Sequence, residues 1–277
     1  MPCHEPRPML AFLGYLSADL GARLLPAPLA DGAARRIARA VHALAPPARG
    51  ILEANLERLF PNVSAKRRRE WSRRAFENFA LSLADFLRLA RLDRAALERG
   101  VEVRGRDHLE RARGTPRGVL VLSAHVGCWE RGAAFLAAHG RRVHVVARPH
   151  PSRAVEGWFT RRRGDRGVAA LRDRALWVGA ARALRAGHWV ALMGDRRPPA
   201  GRGSPCAWAA ALARRTGALL LPAVMVRLPG GRHVACFEAP LTPGACVAGG
   251  YREILQRYVK RYPDQWLGFE PLPEVLG

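Results

Sequence analysis

The chain has almost no lysine: Lys66 and Lys260 are the only two among 46 basic residues, so arginine carries the positive charge. With 23 acidic residues to offset it, the formal charge is +23 over 277 residues. A GC-rich genome also writes arginine and alanine in excess, so the count alone identifies no partner. The surplus still favours anionic ones: phospholipid headgroups, phosphate-bearing substrates, acidic carrier proteins or nucleic acid. Cysteine is sparse and unpatterned. Cys3, Cys128, Cys206, Cys236 and Cys246 are odd in number and lack a C-x-x-C spacing. That argues against a disulfide framework and a structural zinc site, and fits a reducing cytoplasm.

Long apolar runs are also missing. The nearest is Met9 to Leu25, interrupted by Asp19 and Arg23. It falls short of the ~20 apolar residues a bilayer demands. It also lacks the basic lead and small-residue cleavage site of a secretory signal. Two readings stand open for it: a helix lying in a membrane interface, or one docked on the domain. No internal repeat or low-complexity linker is visible. Nor is there a nucleic-acid-binding module, because Phe76, Phe79, Phe86 and Trp189 fall on apolar faces where core packing is the default.

What is present divides into two grammars. Residues 1–100 read as a helical, membrane-proximal arm. Asp31–Leu44 has apolar positions at Ile37, Val41 and Leu44 among arginines, and Pro46-Pro47 breaks the chain. Gly50–Phe60 follows. From the N-cap candidate Ser64, a helical period runs through Trp71, Phe76, Phe79, Leu83, Phe86 and Leu89. Residues 101–277 read as an α/β core, with Gly105–Gly118 as the joint. Strands are expected at Val119–Ser123, Val143–Ala147, Trp189–Met193, Leu219–Val226 and His233–Glu238. Helices are expected at Trp129–His139, Ala154–Arg163, Leu176–Ala186, Ala207–Thr216 and Tyr251–Arg261. Such alternation implies a mixed, largely parallel central sheet flanked by helices on both faces, with ligands beyond the carboxyl ends of the strands.

One segment carries chemistry. Gly118–His125 is a buried strand that delivers a histidine at its carboxyl end, Gly127 permits a sharp turn, and Trp129-Glu130-Arg131 begins a helix. Five residues on a helix rotate by roughly 500°, or 140° net, so His125 and Glu130 do not share a helical face. They meet only if His125 sits in the turn and Glu130 reaches back from the first helical turn. A histidine with a carboxylate partner at a strand end is what a general base needs. No serine stands in a G-x-S-x-G setting, so direct attack by an acceptor hydroxyl fits better than a covalent intermediate. The bare H-x4-E pattern is equally open to a capped helix start with an incidental histidine.

The stretch GVLVLSAHVGCWE resembles the signature block of the lysophospholipid acyltransferase superfamily, specifically the bacterial late acyltransferases of lipid A biosynthesis. The resemblance extends over nearly the whole chain. It includes ILEANLERLFPNVSAKRRREWSRRAFENFALSLADFLRL ahead of the motif. After the motif come VVARPHPSRAVEGWFTRRRGDRGV, VALMGDRRP and YVKRYPDQWLGFEPL. It implies a glycerol-phosphate acyltransferase-like fold. It also implies fatty acyl transfer from an acyl carrier protein or coenzyme A thioester to a hydroxyl of a lipid acceptor. The acceptor is a lipid A precursor or related lipid, at the cytoplasmic face of the bacterial inner membrane. By position, His125 is then the general base and Glu130 its orienting partner. Arg148 and Arg163 bind phosphate, and Asp195 helps order the site. No metal and no cofactor beyond the thioester co-substrate is implied. On the residues alone, Arg148 and Arg163 remain open to being surface arginines, and Asp195 to capping a helix or pairing with Arg196 or Arg197.

The chain departs from the family in three places. No membrane-spanning helix opens it, Arg196 follows the aspartate where glutamine is common, and the next loop is shortened to PPAGRGSPCAW. Two rival readings follow: a catalytically degenerate relative that binds lipid or carrier protein, and, more remotely, a basic nucleic-acid-binding protein. The intact His125/Glu130 pair speaks against the first, though Arg196 and the short loop speak for it. The missing recognition module speaks against the second, so the expected partners exclude nucleic acid.

Overall fold

The computed structural model describes residues 8–139, 141–172, 176–196, 204–244, 247–272 and 275–276; the side chains of residues 8–13 and 23 lie outside the description. So do Cys3, Arg197, Cys246 and most of the shortened loop.

Five helices come first: α1 (Pro8–Leu24), α2 (Ala27–Leu44), α3 (Pro46–Leu59), α4 (Ala65–Arg88) and α5 (Arg94–Arg99). Then β1 (Val101–Arg104), α6 (Arg106–Gly114), β2 (Val119–Ser123), α7 (Trp129–Ala138), β3 (Val143–Val146), α8 (Arg153–Gly164) and β4 (Val168–Leu171) follow. The chain continues with α9 (Leu176–Arg185), β5 (Trp189–Met193), α10 (Pro205–Thr216), β6 (Leu219–Arg227), β7 (His233–Phe237) and α11 (Val247–Arg261).

The seven strands form one sheet in the order β1-β7-β6-β2-β5-β3-β4. β6, β2, β5, β3 and β4 run parallel, β7 is antiparallel to β6, and β1 is parallel to β7. Period-two alternation assigns the faces. Leu120, Leu122, Val190 and Leu192 pack with buried residues of α9, α10 and α11. Val121, Trp189 and Ala191 pack on the other face with α4, α6 and α7. The mixed, largely parallel sheet covered on both sides is therefore what the chain adopts.

Two strands escaped sequence reading, β1 and β4, and they are the two edges of the sheet. Edge strands are short, and four residues carry too little periodicity to register. The segment Gly105–Gly118, read as the joint, is not a bare loop. It contains α6, with Leu109 and Ala112 wholly buried.

The arm is bolted to the core by buried charge as well as by packing. Asp85 of α4 accepts from Arg227 Nε and His233 Nε2, both at 3.0 Å, and from Arg88 Nη1 at 3.2 Å. Arg227 Nη2 also donates to Asp31 of α2 at 2.6 Å. In α1 the polarity runs opposite to a water-facing helix. Asp19 is buried and paired with Arg162 of α8, whereas Leu16, Leu20 and Leu24 face outward. In α2 the face that touches the protein is Ala30 and Ala38, and Ile37, Val41 and Leu44 are exposed rather than core-facing. Arg35 and Arg39 explain that rotation, because both reach the buried Glu77 of α4. Among the described residues no helix is long and apolar enough to cross a membrane.

Candidate active site

β2 and β5 pair in parallel with Ser123 opposite Met193. Two residues beyond each strand end stand His125 and Asp195, and the shared register sets them side by side. The His125 backbone N–H donates to Asp195 Oδ2 at 2.9 Å, and ring Nδ1 lies 2.9 Å from Oδ1. Burial alone would raise the Asp195 carboxyl, but the charge and hydrogen bonds of His125, with Arg196 behind them, hold it below its ordinary value. An ionised carboxylate only accepts, so Nδ1 carries the proton that faces Asp195, and Nε2 is the nitrogen left for proton exchange with a substrate.

The turn that holds His125 is fixed on every side. Gly127 adopts φ 66°, and a Cβ there would lie 2.2 Å from the Met225 carbonyl oxygen. Its N–H donates to Gln265 O at 2.9 Å, the Cys128 N–H donates to Met225 O at 2.7 Å, and the Leu267 N–H donates to His125 O at 2.9 Å. From α4, Ser82 Oγ donates to Gly127 O at 3.1 Å. Gly194 is needed for close approach. Its N–H donates to Ser123 O at 2.7 Å, and a Cβ would fall 2.4 Å from the Tyr251 ring.

Glu130 does not orient His125. Its oxygens are taken by Arg163 of α8, which donates through Nε at 3.0 Å and through Nη2. The pair is largely buried, and although burial lowers the Arg163 guanidinium, Glu130 raises it further. The expected His125–Glu130 partnership is thus corrected to His125–Asp195. Five residues across a turn and a helix start aim Glu130 away, toward α8, whereas strand pairing brings Asp195 in.

His125, Glu130, Arg148 and Arg163 all line one cavity of about 270 Å³, with Asp195 behind His125. Apart from Ser123 and Arg196, the rest of its wall is apolar. It is made by the inner face of the sheet (Val121, Ala191, Met225, Ala235, Phe237) and by α7 (Gly132, Ala133, Phe135, Leu136). Small residues on both walls leave the space, and Phe135 and Phe237 bound it. Trp129 packs edge-on to His125 at 5.2 Å between ring centroids and stacks with Phe79 at 6.5 Å. Phe79 is therefore an exposed residue packed on Trp129, not a core one, while Phe76, Phe86 and Trp189 are buried.

Behind the turn, Asp85, Cys128 and His233 bring metal-ligand atoms within 4.8 Å of one another. Burial pushes the Cys128 thiol up to about 12, and Asp85 is already neutralised by Arg88 and Arg227. A cation beside two guanidinium groups is disfavoured, so the cluster acts as a hydrogen-bonded brace for the catalytic turn. No local sequence signal announces it, because its three members come from three separate parts of the chain: α4, the turn before α7, and β7. Arg196 and Glu270 are further rim residues that the sequence did not nominate.

The profile of the family described as "Bacterial lipid A biosynthesis acyltransferase" matches residues 3–272. The chain is 24% identical over 236 residues to the lipid A biosynthesis lauroyltransferase of Escherichia coli, covering 78% of this chain and 76% of that one. Among solved structures, the 1-acyl-sn-glycerophosphate acyltransferase of Thermotoga maritima aligns with a TM-score of 0.41 and 15% identity. That alignment covers 84% of this chain and 97% of that one.

Proposed function

Because the chain belongs to the bacterial lipid A biosynthesis acyltransferase family, we propose that it transfers a fatty acyl group from an acyl carrier protein or coenzyme A thioester to a lipid hydroxyl. The observation that carries this reading is the His125–Asp195 pair at the mouth of an apolar cavity. The acceptor is a lipid A precursor or a related glycolipid or phospholipid.

In the proposed reaction, His125 Nε2 takes the proton of the acceptor hydroxyl as its oxygen attacks the thioester carbonyl carbon. Asp195 holds the ring and stabilises the imidazolium. Collapse of the tetrahedral intermediate breaks the carbon–sulfur bond, and the thiolate recovers the proton from His125. An ester and a free thiol result. The amino end of α7, at Trp129 and Glu130 on the cavity rim, favours the negative charge that develops on the carbonyl oxygen. The acyl chain occupies the apolar space between the sheet and α7. Arg148 and Arg163 serve phosphate-bearing parts of the substrates, Arg163 being held at the wall by Glu130.

The same reading puts the protein at the cytoplasmic face of the inner membrane, held peripherally by α1 and α2. Their outward leucines and the arginines of α2 and α4 suit an anionic lipid surface. The test is transfer of labelled acyl chains from carrier protein to a bacterial lipid extract, with the product identified by mass spectrometry. No ester product in a detergent-solubilised, folded preparation sinks the reading.

A further inference from the structure

Tyr251 of α11 is wholly buried behind the ends of the two strands that deliver His125 and Asp195. It belongs to the apolar cluster of Leu122 and Leu192, on the face of the sheet covered by α9, α10 and α11. The cavity lies on the other face, beside α7, and Tyr251 is not among its lining residues. The Tyr251 hydroxyl donates to Ser123 O at 2.5 Å. The same oxygen accepts the Gly194 N–H at 2.7 Å, and a Cβ on Gly194 would lie 2.8 Å from Tyr251 Oη. One phenol thus abuts the residue two before His125 and the residue next to Asp195.

Core packing does not call for a hydroxyl at this place. Burying one costs free energy unless it finds a partner, and phenylalanine would fill nearly the same space without that cost. Nor does Ser123 O need a second donor, since the Gly194 N–H already satisfies it. The bond therefore adds constraint: it pins the carbonyl at the end of β2 to a helix outside the sheet. Burial pushes the phenol well above its ordinary value and the Asp195 charge raises it further, so the hydroxyl keeps its proton and remains a donor. Without it the end of β2 is freer to shift against β5. Both 2.9 Å bonds between His125 and Asp195 depend on that register.

We propose that Tyr251 is a positioning residue for acyl transfer, acting from the far face of the sheet. By holding Ser123 O against Gly194, it fixes the orientation of the His125 ring on Asp195. Tyr251 touches no substrate. Its contribution reaches the reacting hydroxyl only through the strand end and the imidazole, so it acts on the chemical step and leaves binding alone. The kinetic consequence rests on the acyl-transfer reading; the effect on the His125 ring does not.

The full chain is compared with Tyr251→Phe and Tyr258→Phe at a temperature well below the melting transition of each. Tyr258 lies further along the same helix and donates to Glu238 at 2.7 Å, so its variant loses a hydroxyl of α11 away from the strand ends. The His125 ring nitrogens are read by nitrogen NMR through the carbon-bound ring protons, with His125→Ala assigning the signals. In Tyr251→Phe their shifts are expected to move from the parent's toward a mixture of the two tautomers, and in Tyr258→Phe to match the parent. In transfer of labelled acyl chains, Tyr251→Phe should lower kcat about fivefold to tenfold, short of the ~100-fold that a 1 Å misplacement can cost. Its KM for both substrates should stay within about twofold, as should both constants of Tyr258→Phe.

Unmoved His125 shifts in Tyr251→Phe overturn the proposal, whether or not its melting temperature falls. Equal changes in Tyr258→Phe also overturn it, since a general loosening of α11 would then suffice. So does a parental kcat in Tyr251→Phe, whatever happens to KM, because the chemical step would then be indifferent to the clamp. Moved shifts in a chain that transfers no acyl group would defeat the enzyme reading and leave the hold on His125 standing.

Discussion

His125 and Asp195 are bound to each other twice, once through the His125 backbone N–H and once through its ring Nδ1, each at 2.9 Å. Both residues leave adjacent parallel strands two positions past a paired rung. The imidazole is thus positioned by the sheet itself, and His125 lines the cavity.

Removing that imidazole should abolish the proposed chemistry. His125→Ala is expected to lose at least about 100-fold in transfer of labelled acyl chain, the usual scale for a general base. A mutant with parental rates would refute the mechanism.

The two carboxylates should separate in kinetics. Asp195→Asn leaves Nδ1 wrongly matched and should cost about 100-fold or more in kcat. Glu130→Gln loosens Arg163 instead and should cost less than about tenfold, mainly in KM. The reverse ranking would restore Glu130 as the partner of His125.

Chain length should respond to the far wall of the cavity. β7 lies two strand spacings, roughly 9–10 Å, from β2, so Ala235 is remote from His125. Ala235→Leu is expected to shift preference toward shorter donors, measured with thioesters two carbons apart. An unaltered profile would mean that the acyl chain lies elsewhere.

Vesicle binding should have two separable parts. Flotation with anionic vesicles should weaken as salt rises, because the arginines of α2 and α4 are screened. The double change Leu20→Glu with Leu24→Glu should weaken it at least about tenfold at any salt, since both leucines face outward. Parental binding by the double variant would place the contact away from α1.

Stability should fall on mild acidification. His233 sits below its ordinary value because burial outweighs the pull of Asp85. Asp85 is held below its own by His233, Arg227 and Arg88 against burial. Both shifts mean that the unfolded chain binds more protons. The associated stability is full above about pH 6.5, the free histidine value, and is lost as pH falls through the native values. Melting temperature should therefore decline from pH 7 toward pH 4, and less steeply in His233→Gln. An equal slope in that variant would remove His233 from the account.

The legible part of this fold was its centre. Val119–Ser123 and Trp189–Met193 are apolar throughout and bounded by turns, so their limits could be read to the residue. Val101–Arg104 and Val168–Leu171 were not, because an edge strand needs few apolar positions. At the site, all five nominated residues converge, yet the partnership was assigned along the chain when it runs across the sheet. Asp195 could have been matched to His125 by counting two residues beyond each of the neighbouring strands. Glu270 could not, since nothing local ties the carboxyl-terminal segment to the cavity mouth.

The three arginines of α8 look interchangeable in the sequence. Each successive residue turns by about 100°, so they point to three different places. Arg161 is exposed, Arg162 is fastened to Asp19 of α1, and Arg163 to Glu130 of α7. Composition is then forgiving where phase is not. Inserting one residue upstream would keep every arginine and exchange their assignments, parting the first helix from the body and leaving Glu130 with the wrong neighbour.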